Sequence, residues 1–180
     1  VEAFAPLVAA AFSLGADAEG SHPASRLRVR IADRALRQTN PLVDVLSLLL
    51  ELGTSRLTAP EVLDLAGRSA VRLRFGFDDD ALERLRGWVV EAGVRWGLHP
   101  KHRQTWKLGA VPQGTWREGL DRLLLGAAVE GGSADFGDVL PVDDVDSSDI
   151  ELLGRFAELV DRLDTAQELM EGTRTPAEWA

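Results

Sequence analysis

The sequence predicts a mainly α fold, a multi-helix domain with one short strand near the N-terminus. Three observations carry that expectation. Apolar residues recur at three- and four-residue spacing in segment after segment. Helix-start signals stand directly before those segments: Asn40-Pro41, Thr58 with Glu61, Asp78, Thr115, and Ser148 with Glu151. Only residues 27–32 alternate convincingly with the period of two that a strand requires.

Taken in order, Val1 to Leu14 places Phe4, Leu7, Val8, Ala11 and Phe12 on one helical face, with Gly15 as a stop. Residues 16–25 are small and polar and read as a loop. Leu27, Val29 and Ile31 then alternate with Arg28 and Arg30. A lone strand cannot satisfy its own backbone groups, so this one requires a partner strand, which no other segment supplies. From Pro41 a helix is expected to about Leu52, with Leu42, Val45, Leu46, Leu49 and Leu50 as its core face. Thr58 and Glu61 form a capping box for a short helix through Val62, Leu63 and Leu65 to Gly67. Ser69 to Phe75 reads as a further helical turn, broken by Gly76. Asp78 caps the next helix, which buries Ala81, Leu82, Leu85, Trp88, Val89 and Ala92 and stops at Gly93. His99 to Pro112 is a loop or a loose helical turn. Thr115 caps a helix from Trp116 to Gly126, with Trp116, Leu120, Leu123 and Leu124 inward and Glu118–Arg122 as an i,i+4 ion pair. Residues 131–146 form a Gly- and Asp-rich loop. Ser148 then caps a long helix to about Met170 that buries Leu152, Leu153, Phe156, Leu159, Val160 and Leu163. Thr175 to Glu178 restarts a helix, and the chain opens directly in one, as expected of a piece of a longer polypeptide.

The composition bounds the chemistry. With 180 residues, 45% hydrophobic and 27% charged, the chain has the balance of one soluble globular domain. It has no cysteine, which excludes disulfides, thiolate metal sites and cysteine nucleophiles and fits a reducing, cytoplasmic setting. No run of about 20 apolar residues suits a membrane span, and no secretory leader is expected. The net charge of −9 is uneven: residues 1–126 carry 17 basic and 15 acidic residues, whereas residues 127–180 carry 3 and 14. The acidic end repels nucleic-acid phosphates, so any such surface belongs to the first part. The acidic run itself is either a solvated helix face or a surface that docks a basic partner.

Catalytic patterns are missing. There is no GxxxxGK[ST] phosphate loop, no dinucleotide-binding glycine pattern and no nucleophile elbow. His99 and His102 lack the third ligand that a catalytic zinc needs. Asp78, Asp79 and Asp80 suit the positive end of a helix, and Asp143, Asp144 and Asp146 lack the Gly and distal Glu of a calcium loop. No catalytic, cofactor or metal residue is therefore expected. The candidate surface lies between Asp78 and Gly126, which holds four of the five tryptophans. There Arg95, Lys101, Arg103, Lys107 and Arg117 interleave with Trp96, Trp106 and Trp116, a mixture suited to tracking a nucleic-acid backbone and stacking its bases. The competing reading puts the tryptophans in the core and the cations in water. Trp88 and Trp116 fall on core faces; Trp96 and Trp106 stay open between the two readings. The candidate nucleic-acid contacts are Arg95, Trp96, Lys101, Arg103, Trp106 and Arg117.

Several stretches together resemble the RecC (gamma) subunits of bacterial exodeoxyribonuclease V, the RecBCD complex. They are Phe4-Ala5-Pro6-Leu7, IADRALRQTNPLVDVLSLLLEL from Ile31, RFGFDDDALERLRGWVVEAGVRWGL from Arg74, GTWREGLDRLLLGAAV from Gly114, VLPVDDV from Val139 and ELLGRFAELVDRL from Glu151. None is a catalytic signature, but their order covers nearly the whole chain. The resemblance implies a superfamily 1 helicase-like subunit without ATPase motifs, which holds the complex together, splits duplex ends and scans single-stranded DNA for Chi. It implies RecB and RecD as partners and single-stranded or duplex-end DNA as ligand, with ATP and Mg2+ bound by the partner subunits. Residues 1–33 are then expected to belong to a helicase-like second motor domain and residues 34–180 to its helical insertion, which accounts for the orphan strand. No Chi-reading residue is carried over.

Overall fold

The computed structural model describes residues 7, 40–129, 140–142, 145–170 and 172. The chain divides into two units, Val1–Asn40 and Pro41–Ala180. In the first, only Leu7 and Asn40 are described. The expected strand at 27–32 and the helix expected from Thr175 lie outside the described residues.

The second unit is helical. Its α-helices are α1 Pro41–Leu52, α2 Ala59–Gly67, α3 Ser69–Phe75, α4 Asp79–Glu91, α5 Trp116–Ala128 and α6 Ile150–Met170, with 3-10 turns at His102–Trp106 and Ser147–Asp149. Among the described residues the only β-type pairing is an isolated antiparallel bridge between Thr58 and Trp96.

Most helix starts follow from the sequence. Thr58 donates both its N–H and its hydroxyl to Glu61 Oε2, at 2.6 and 2.8 Å. Asp78 Oδ1 accepts the Ala81 N–H at 2.8 Å, and Thr115 Oγ1 accepts the Glu118 N–H at 3.3 Å. Such caps satisfy N–H groups that have no partner within the helix, each contributing about 1 kcal/mol. The start of α6 differs. Asp146 takes the capping role by accepting the Ser148 N–H at 2.9 Å, and a 3-10 turn precedes Ile150. The expected Ser148 cap is displaced because Ser148 lies inside the 3-10 turn that Asp146 caps.

The core joins the inner faces of all six helices. Leu85, Trp88 and Val89 of α4, Trp116, Leu120 and Leu123 of α5, and Leu153, Phe156 and Val160 of α6 are buried in it. Trp116 meets Phe156 edge to face, with centroids 6.0 Å apart. Gln167 is buried with them because its amide donates at 2.8 Å to the Leu52 carbonyl, a helix-end group that also accepts the Ser55 N–H at 3.0 Å.

Three expectations are corrected. In α1 the core residues are Leu48 and Leu52, backed by the partly buried Val45 and Leu49, while Leu42, Leu46 and Leu50 are 70%, 57% and 60% exposed. The helix is apolar on most of its circumference, so periodicity alone cannot select the inward side. Leu124 of α5 also faces outward. The Glu118–Arg122 pair does not form. Arg122 instead donates to the carbonyls of Ala92 and Leu140, both at 2.8 Å, and Glu118 accepts the Gly114 N–H. Two backbone carbonyls together, one of them part-buried, outcompete a solvated ion pair.

Candidate nucleic-acid interface

The segment between α4 and α5 is held by its backbone on both sides. From one side, the Ala59 N–H donates to Arg95 O and the Gly97 N–H to Arg56 O, each at 2.9 Å. From the other, the Arg95 N–H donates to Gly114 O, the Trp116 N–H to Gly97 O and the Arg117 N–H to Leu98 O, again each at 2.9 Å. The loop joining α1 to α2 and the start of α5 thus clamp residues 95–98 between them. The Trp116 indole N–H reinforces the clamp by donating to Leu57 O at 2.9 Å, in the interior.

Arg103 holds the rest of the loop. It is 3% exposed, and its guanidinium donates to the carbonyls of Val111, Gln113 and Trp96 at 2.9, 2.8 and 2.6 Å. Burial pushes its pKa below the usual value, and the charge of Glu118 opposes that shift. An arginine so placed stays cationic. Its carbon also lies 4.5 Å from the centre of the Trp96 ring. Gly97, at φ +76°, makes room for it: a Cβ there would stand 2.9 Å from Arg103 Nε. His99 ties the loop to α6. Its Nδ1 accepts the His102 N–H at 3.1 Å, which leaves the ring proton on Nε2, 3.2 Å from Asp164 Oδ1. Among the described residues no group of three or more His, Asp or Glu is arranged to hold a metal ion.

This anchoring brings Trp96 and Trp106 together at the surface. Their rings meet edge to face at 85°, with centroids 5.4 Å apart, and both are half-buried. His102 packs against Trp106 at 5.5 Å. Trp88 and Trp116, by contrast, are core residues, as their helix faces imply. Arg56, from the loop between α1 and α2, completes the cluster. Its guanidinium carbon lies 5.6 Å from the Trp96 centroid and 5.8 Å from that of Trp106.

The cations of this segment and of the loop clamped to it stand apart from the others. Elsewhere arginines are neutralised: Arg68 by Asp44 and Asp64, Arg72 by Asp79, Arg84 by Asp149, Arg86 by Glu83, and Arg74 and Arg162 by Glu158. Arg117 pairs with Asp161 of α6 at 3.3 Å. Arg103, Arg122 and Arg155 donate to backbone carbonyls. Among the described residues, the cations whose side chains have neither an acidic partner nor a hydrogen bond are Arg56, Arg95, Lys101 and Lys107. All are exposed, and all lie in the segment from Arg95 to Lys107 or in the loop clamped to it. Of the six residues singled out from the sequence, Arg95, Trp96, Lys101 and Trp106 therefore belong to the exposed patch or its anchoring loop. Arg103 lies beneath it, and Arg117 is engaged with α6. Arg56 carried no sequence signal, because it stands alone in its loop and joins the indoles only through the clamp.

The fold and this patch define an α-helical module that presents a basic, aromatic surface. Residues 39–180 match the sequence profile of the RecBCD enzyme subunit RecC fourth domain. The chain is 47% identical to RecBCD enzyme subunit RecC of Mycobacterium tuberculosis over 180 residues, which covers 99% of this chain and 16% of that protein. It is 45% identical to the RecC of Mycolicibacterium smegmatis over 99% of this chain and 17% of the relative, and 34% identical to that of Escherichia coli over 99% and 15%. The chain belongs to the RecC family. It spans 16% of the length of the M. tuberculosis relative.

Proposed function

We propose that this chain is a non-catalytic, structural and DNA-guiding segment of a RecC subunit, working in a RecBCD-type helicase-nuclease during repair of double-strand breaks. In this reading residues 34–180 are a helical insertion in a superfamily 1 helicase-like second motor domain, to which residues 1–33 belong. RecB and RecD are its partner subunits in the cytoplasm and carry the ATP and Mg2+ chemistry. The observation that supports DNA guidance is the set of four exposed cations without acidic partners in the segment and the clamping loop that hold a half-buried indole pair. A solvated cation gains little from pairing at a surface, but a row of them releases condensed counterions when phosphates arrive. Arg103 is left out of the contact set because it is buried and its two terminal nitrogens donate to loop carbonyls.

The test is binding of single-stranded DNA to the chain across a salt series. Four phosphate contacts at about 0.7 each predict a slope of log K against log salt of about −3. Arg56→Ala/Arg95→Ala/Lys107→Ala should reduce it to about −1 without unfolding the domain. Absence of binding at low salt would sink this reading. The outward leucines of α1 support a second reading, a helical module that docks partner subunits without touching DNA. Leu42→Gln/Leu46→Gln/Leu50→Gln would then weaken assembly with RecB or RecD while leaving any DNA affinity alone.

A further inference from the structure

Two backbone outliers flank the indole pair. Among the described residues only Leu57 (φ 53°) and Lys107 (φ 61°) are non-glycines with positive φ. Leu57 follows Arg56 directly. Its side chain is fully buried, and its carbonyl accepts the Trp116 indole N–H and the Gly97 N–H, so the core holds it in the left-handed region. That conformation sends Leu57 inward and leaves Arg56 outside, over the indoles. Lys107 ends the 3-10 turn directly after Trp106. Strain of this kind persists where the surroundings impose it, and it concentrates at ligand-binding sites.

Arg56 and Arg103 both lie against Trp96, but they are held differently. Arg103 is fixed by three carbonyls, whereas Arg56 is exposed and its side chain has only the two ring contacts. Cation–π attraction at an exposed site is weak. The rings stand nearly at right angles, and Arg56 is almost equidistant from them, at the corner they make. A flat base entering that corner stacks on one ring and meets the edge of the other, the arrangement aromatic pairs prefer.

We infer that Arg56 is a displaceable cap on a stacking site for one unpaired base of single-stranded nucleic acid. The inference rests on the DNA-guiding reading above and deepens it. In the free protein the guanidinium covers the indoles. Its charge meets an adjacent phosphate whether or not a base is present, and a base that takes its place on the rings displaces only the ring contacts. Paired bases inside a duplex have their faces covered and cannot enter.

The experiment compares a thymidylate oligomer with an abasic phosphodiester oligomer of equal length, binding each to the full chain. The ratio of the two affinities reports stacking alone. In Arg56→Ala, affinity for the abasic oligomer should fall several-fold and its salt slope by about 0.7. The thymidylate-to-abasic ratio should rise roughly three- to tenfold, because no cap has to be displaced. Arg56→Lys should keep the salt slope and raise the ratio less. Trp106→Ala should bring the ratio near one, a loss of roughly ten- to a hundredfold. An unchanged or lower ratio in a folded Arg56→Ala variant would overturn the cap. A wild-type ratio near one overturns the stacking site but leaves the DNA reading standing. A wild type that binds neither oligomer ends both.

Discussion

Arg103 donates to three backbone carbonyls and is itself buried, so truncating it removes the donor from the part-buried carbonyls of Val111, Gln113 and Trp96. Arg103→Ala should lower the unfolding free energy by roughly 2–4 kcal/mol in a urea titration. Arg103→Lys should recover little, because one ammonium cannot span the three acceptors that a planar fork reaches. Lys107 predicts the opposite sign. Its φ of 61° suits glycine, so Lys107→Gly should raise the urea midpoint by an amount worth about 1 kcal/mol, and on the proposed DNA-guiding role it should weaken affinity for DNA by removing a cation. At this scale the sequence is only partly legible. It marks Arg103 as a basic residue between tryptophans, as it marks Lys101. Burial, which separates the two, depends on Gly97 leaving the space and on carbonyls from residues 96, 111 and 113 converging.

The helices were legible wherever a cap and a single apolar stripe coincide, as at Asp78 with Leu82, Leu85, Trp88 and Val89. The choice of face failed in α1, where leucines point in every direction and tertiary packing decides. That register is measurable: Leu52→Ala should cost about 2–5 kcal/mol, whereas Leu46→Gln should change the stability of this chain by no more than about 0.5 kcal/mol. A close approach that leaves no mark in the sequence joins α5 to residues 140–142. A Cβ at Gly126 would lie 1.9 Å from the Val142 carbonyl oxygen, beside the Val142 N–H bond to Arg122 O. Gly126→Ala gains about 1 kcal/mol of helix propensity, yet it should destabilise the domain overall and increase amide exchange at Val142.

Across the whole molecule, the family and the helical class were readable from ordered stretches of sequence, and the patch was readable only in part. Net charge per segment located the basic part correctly but could not show which cations lack acidic neighbours, because ion pairs such as Arg117–Asp161 and Arg84–Asp149 bridge distant segments. Those partners sort the basic residues into neutralised and available ones only after folding.

The backbone clamp on residues 95–98 has a consequence in time. Every helix here closes on near neighbours in the chain, but the clamp must bring Leu57 to Trp116 and Arg56 to Gly97 across long stretches of chain, at a loop-closure cost that local turns avoid. The geometry therefore predicts that Arg56 and Leu57 reach the aromatic corner after the helices that carry it have formed. Trp116→Phe, which removes the indole donor to Leu57, should speed unfolding while leaving the refolding rate nearly unchanged in stopped-flow experiments. A chain with its helices formed and the clamp open would lack Arg56 over the indoles, so the surface proposed to meet DNA would be complete only once the fold is.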